Sequence, residues 1–118
     1  MNQQRFEITK HFKDRCKSRL GISKKDAEKY FYRAYNNGLK IDDFKNNRLI
    51  YKYLCHLTRE EDIECVVYCH HIIIYSTDKG MMAITLLNIP TKYIDIVDKV
   101  LERKRNGKIR SNKNPRYI

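Results

Sequence analysis

The 118-residue sequence has no Trp, two Pro and four Gly, and each shortage closes off an option. A phosphate-cradling loop depends on glycine's backbone freedom, and neither that loop, nor a GxSxG nucleophile elbow, nor an HExxH helix occurs. Nucleotide-dependent enzymology of those kinds is not expected, and nothing calls for a cofactor. A membrane-spanning helix needs about 18 or more apolar residues, whereas the longest apolar tract, residues 81–90, is interrupted by Thr85 and Asn88. The opening Met-Asn-Gln-Gln-Arg-Phe-Glu also lacks the apolar core of a secretion signal. The expectation is a cytoplasmic protein in which the four Cys stay reduced.

Acidic residues are scarce at both ends. Residues 1–40 hold 11 basic and 4 acidic side chains, residues 41–102 hold 7 and 10, and residues 103–118 hold 7 and none. The net charge of +11 is therefore +7, −3 and +7 along the chain, a footprint for phosphate or for an acidic protein face. Nucleic acid or a nucleoprotein complex is the expected partner, met by cations that both ends contribute to one shared surface. No membrane partner is expected, and the oligomeric state is left open.

The length suits one domain with one core, expected over residues 1–106, with a flexible basic tail over 107–118. Thr9 can cap a helix ended by Gly21, in which Phe12, Cys16 and Leu20 make an apolar stripe beside a row of His11, Arg15 and Arg19. Ser23 and Asp26 resemble a capping box for a second helix with Ala27, Tyr30, Phe31 and Ala34 inward and Gly38 as its stop. Residues 44–57 fit helix or strand, through Leu49, Tyr53 and Leu57 or Leu49, Tyr51 and Tyr53; their length and lack of Gly or Pro favour helix. β-branched and aromatic residues over 63–68, 72–75 and 83–87 predict three strands in an antiparallel meander, with a hairpin turn at Thr77-Asp78-Lys79-Gly80. A last helix from Thr91 turns Ile94, Val97, Val100 and Leu101 inward. The class is α+β: helices, a three-stranded sheet, then a helix.

The side chains that could do chemistry fall into three groups. Cys55-His56 and Cys65-x3-Cys69-His70-His71 contain possible ligands, of which Cys55, Cys65, Cys69 and His71 come nearest to a metal set. The close paired spacing of zinc ribbons and fingers is missing, so buried thiols and turn histidines are expected instead, with no metal. Asp42-Asp43 and Glu60-Glu61-Asp62 with Glu64 lie at element ends, where carboxylates act as caps and solvated turns. The row His11, Arg15, Arg19, with Lys24, Lys25 and Lys29, and Arg103, Lys104, Arg105, Lys108 and Arg110 from the other end, is the candidate nucleic-acid-binding set. Tyrosines could stack on bases, although for Tyr30, Tyr53 and Tyr75 individually a core position is favoured.

The stretch Ile8-Thr9-Lys10-His11-Phe12-x-x-Arg15-x-x-x-Arg19-x-Gly21-Ile22-Ser23 resembles the opening of small bacterial and phage proteins related to the RelE/ParE-like toxin superfamily, the BrnT-like branch especially. The resemblance covers about the first 35 residues and, loosely, the hairpin of residues 75–87. It implies a compact helix-plus-antiparallel-sheet fold, a mobile-element origin, a bacterial host cytoplasm and, for the toxins, metal-free RNA cleavage by basic and tyrosine residues on the sheet. The sequence departs from that pattern, since no charged residue lies between Gly80 and Pro90. Such a ribonuclease must supply an acid, a base and a cation for the phosphorane, and His11, Arg15, Lys52, His71 and Tyr75 are the residues that could do so. The reading preferred over this toxin is a non-catalytic phage-type binder that inhibits or regulates a nucleic acid or nucleoprotein machine, for example as an anti-CRISPR. A third reading is a structural protein that self-associates through a sheet edge.

Overall fold

The computed structural model describes residues 6–113, and side chains through Gly107. A short strand β1 (Phe6–Ile8) leads into helices α1 (Lys10–Leu20) and α2 (Lys24–Asn37). A 3-10 turn (Ile41–Phe44) and helix α3 (Arg48–Leu57) follow, then strands β2 (Ile63–Tyr68), β3 (His71–Ser76) and β4 (Met81–Asn88). A second 3-10 turn (Thr91–Tyr93) starts the last helix, α4 (Ile94–Lys113).

The α+β class holds, but the sheet is four-stranded in the order β1-β4-β3-β2 and mixed, because β1 runs parallel to β4. The expected meander is β2-β3-β4, so the correction lies at the amino terminus. Phe-Glu-Ile is too short to show alternation, and its pairing with Met81, Met82 and Ala83 is remote in sequence.

The single core expected from length is instead two cores on opposite sides of the sheet. Along β2 and β3 the side chains alternate: Val66, Ile73 and Tyr75 pack beneath α1 and α2, whereas Cys65, Val67, Ile72 and Ile74 pack beneath α3 and α4. Covering both faces explains why Ile72, Ile73, Ile74 and Tyr75 form an uninterrupted apolar run, all of it buried. On α3 the buried pair is Ile50 and Leu54, while Leu49, expected on the inner stripe, is 71% exposed. No described helix is long and apolar enough to cross a membrane.

The helix ends follow local chemistry. Thr9 Oγ1 accepts the Phe12 amide at 3.1 Å and donates to the Ile84 carbonyl at 2.9 Å, so one hydroxyl caps α1 and ties it to β4. Gly21, at φ 68°, closes α1 through bonds to the Lys17 and Cys16 carbonyls from itself and Ile22. Gly38 ends α2 for a different reason than a left-handed turn, since its φ is −81°. A Cβ there would stand 2.5 Å from Val66 Cγ2 and 2.7 Å from the Ala34 and Val67 carbonyl oxygens; only a bare Cα lets the chain pass so close to β2. Helix α4 continues through Gly107 to Lys113, so the boundary expected at residue 106 is not where the helix ends. Residues 114–118 of the expected tail lie outside the described residues.

Candidate nucleic-acid interface

The row His11, Arg15 and Arg19 turns toward the sheet. Strand β1 pairs only with residues 81–83 of β4, which leaves the remaining carbonyls along that edge in need of donors. Arg15 and Arg19 both donate to the Leu86 carbonyl, at 3.2 and 3.3 Å, and His11 Nε2 lies 3.0 Å from Thr85 Oγ1. This row is thus a clasp that finishes the sheet edge, while His11 and Arg19 stay exposed on the flank of α1. Lys24 pairs with Asp14 at 3.9 Å, and Lys25 is exposed.

The five residues expected for metal-free RNA cleavage are not assembled. Tyr75 is fully buried, with its hydroxyl donating to Glu64 at 3.2 Å, and burial pushes its pKa upward. Lys52 lies exposed on α3. His71 Nδ1 lies 2.8 Å from the Cys69 carbonyl oxygen, while His11 and Arg15 serve the β4 edge. No hydrogen bond or ion pair among the described residues joins any two of the five.

Of the cysteines, Cys55 on α3 lies near enough to Cys65 to help burial raise its pKa. Cys65 is buried on the α3 side, where burial lifts its pKa to about 12, and Cys69 is exposed in the β2–β3 turn. Cys55 is half-buried on α3. Among the described residues no group of three or more His, Cys, Asp or Glu is placed to hold a metal ion.

What the fold does assemble lies on the outer side of α2. Because Ala27, Tyr30, Phe31 and Ala34 face inward, helical geometry sends Lys29, Tyr32, Arg33 and Asn36 outward, with Asn37 on the flank beside Ala34. Tyr32 is 55% exposed, its ring steadied by an edge contact with Phe6 at 5.0 Å between centroids. Phe6, Glu28, Lys29, Tyr32 and Arg33 line a shallow depression of about 580 Å³ that ends at Asn36 and Asn37.

The same two asparagines open a deeper cleft of about 480 Å³, whose other walls come from the β2–β3 turn and α4, including Tyr68, His70, Asp98, Lys104 and Arg105. A continuous track therefore runs from Lys29 and Arg33 on α2 to Lys104 and Arg105 on α4. Arg33 and Arg105 form no ion pair among the described residues, whereas Lys104 is held at 3.0 Å by Asp43. Among the described residues the two basic ends meet here and, just beside it, at Lys40, which lies near enough to Lys104 to feel its charge. Elsewhere α1 and α2 cover one face of the sheet and α4 the other.

Of the binding residues expected from the sequence, Lys29, Lys104 and Arg105 are on this track. Arg103 is exposed on α4, and the side chains of Lys108 and Arg110 lie outside those described. Tyr32, Arg33, Asn36 and Asn37 were missed, although their signal was present as the polar complement of the apolar stripe in α2. No family model matches the sequence, and comparisons with curated proteins and with solved structures return no significant match.

Proposed function

We propose that this chain is a non-catalytic nucleic-acid-binding protein that occupies RNA, DNA or a nucleoprotein complex and thereby inhibits or regulates it. The observation that carries this reading is the exposed Tyr32 ring flanked by Lys29 and Arg33 and continued by Arg105 across Asn36 and Asn37. An aromatic face with guanidinium and ammonium groups on either side suits a base and its neighbouring phosphates, and stacking contributes about 1–3 kcal/mol per base. Phage-type inhibition of a defence complex is the biological setting that the basic ends and the amino-terminal resemblance favour.

The test is fluorescence anisotropy with labelled oligonucleotides at low and moderate salt. Tyr32→Ala combined with Arg33→Ala is expected to weaken binding at least tenfold, while Lys79→Ala, an exposed change in the β3–β4 turn that lines neither hollow, leaves it unaltered. Equal effects of the two variants would sink the assignment of this surface. The ribonuclease reading gains no support from the placement of its five residues. Self-association through a sheet edge is opposed by edge protection: Leu39 bridges Val67 on the outer side of β2, and Thr9, Arg15 and Arg19 cover carbonyls of β4.

A further inference from the structure

The β2–β3 turn is built in an expensive way. Cys69 and His70 occupy its two central positions with φ of 49° and 63°, a left-handed pair for which Asn-Gly is the usual solution. Neither residue relieves the strain that a Cβ carries there. The strained turn is fixed on both flanks: His70 Nε2 sits 2.7 Å from Asp98 Oδ1 on α4, the Ile89 amide donates to the His70 carbonyl at 3.0 Å, and His71 Nδ1 approaches the Cys69 carbonyl. Strain held by several contacts and aimed at a cavity marks a positioned group, and His70 lines the cleft at the end of α2.

The cleft has a consistent chemistry. Its floor is apolar, formed by Leu39, Val67 and Val97. Asn36 and Asn37 spend an amide N–H each on the Tyr32 and Arg33 carbonyls, at 3.0 Å in both cases, so their remaining polar capacity is directed elsewhere. The His70–Asp98 pair supplies both donor and acceptor character at one wall, and Arg105 supplies a cation at the rim. A volume of about 480 Å³ falls in the range of sites that bury small ligands. A flat apolar body with donors and acceptors around its edge, joined to an anion, matches this lining.

We propose that the cleft seats one unpaired nucleotide, so that the partner of this protein is single-stranded rather than duplex nucleic acid. The base lies on the apolar floor with its polar edge at the His70–Asp98 pair and Asn37. Its phosphate meets Arg105, and the next base along the strand stacks on Tyr32. This rests on the nucleic-acid reading above and narrows it, because a paired base has no free edge to present and a duplex cannot enter a cavity of this size.

The experiment measures anisotropy with a labelled seven-nucleotide single-stranded RNA, the same sequence as DNA, and a blunt RNA duplex, each at low salt. Asn37→Trp fills the cleft from an exposed helix position, and Arg105→Glu changes only its exposed rim, so a folding defect in the first leaves the second to decide. The expected results are single strands bound at least tenfold more tightly than duplex, a loss of that preference in either variant, and competition by millimolar mononucleotide. Duplex binding as tight as single-strand binding, or indifference of both variants, overturns the proposal. If Tyr32→Ala still weakens such binding, the wider nucleic-acid reading survives; binding of none of the three probes removes both.

Discussion

At Gly38 a single hydrogen takes the place of a methyl group that the fold has no room for. Contacts of 2.5 and 2.7 Å would have to relax against backbone carbonyls as well as the Val66 methyl, and overpacking of this kind costs about 1–3 kcal/mol. Gly38→Ala is expected to lower the urea midpoint accordingly, with an unchanged m-value. The thiols differ just as sharply. Cys16 and Cys65 are buried, with pKa values lifted to about 11 and about 12 by burial, whereas Cys69 is exposed. A thiol reagent near neutral pH should therefore label Cys69 first, Cys55 next, and Cys16 and Cys65 only on unfolding. The raised values also set the alkaline limit. A thiol whose folded pKa exceeds its ordinary value near 9 stabilises the fold fully below pH 9 and loses that contribution as pH climbs toward 11 and 12. Buried Tyr30 and Tyr75, also shifted upward by burial, act in the same direction. Thermal melts between pH 8 and 12 should show the midpoint level at first and falling steeply after about pH 9; a flat profile to pH 12 would contradict the buried placement.

Elements show where the sequence was readable. Both helix starts, Thr9 and Ser23, accept the amide hydrogen bonds their types suggest, and the stripes of α1 and α2 are buried at Phe12, Cys16, Ala27, Tyr30, Phe31 and Ala34. Local chemistry fixes such features, so local sequence reveals them. Strand β1 and the clasp of Arg15 and Arg19 on Leu86 depend on partners about 70 residues distant, and no local pattern encodes that docking. Leu49 misled for a related reason: its spacing to Tyr53 fits a helix stripe, but Ile50 and Leu54 fit one too, and only the position of the sheet decides between them. The β2–β3 turn offers a direct test of strain. Cys69→Asn with His70→Gly is expected to stabilise the fold by about 1–2 kcal/mol, the left-handed penalty removed, less whatever the His70–Asp98 contact supplies. In α4, Gly107 meets no atom within 4 Å where a Cβ would go, so Gly107→Ala should raise helicity by circular dichroism and add roughly 0.5–1 kcal/mol.

For the molecule as a whole, the described cations of the two ends come together at the end of α2 and beside it at Lys40, which feels the charge of Lys104. That placement was half legible: the sequence marks basic termini, but it does not say that α1 spends its arginines on a sheet edge. Binding should weaken steeply with salt, since each phosphate neutralised releases condensed counterion. Ending the chain after Glu102 deletes 7 basic residues while keeping Val97 and Val100 in the core. The shortened protein is expected to melt cooperatively, yet to bind all oligonucleotides more weakly and with a shallower salt slope. An unchanged slope would place the contacts elsewhere.

The parallel pairing of β1 with β4 also dictates a schedule for synthesis. The ribosome releases residues 6–8 some 75 positions before their partners at 81–83 exist, and the α1–α2 pair emerges without the floor it is to rest on. Until β4 is complete, Phe12, Phe31 and Ala34 have each other and the β2 and β3 residues Val66, Ile73 and Tyr75 but lack Met81, Ala83 and Leu86, so part of this apolar surface stays uncovered. Closure is therefore a late, long-range event. A translational pause before residue 81 should make this chain lean on chaperones far more than a pause after residue 90.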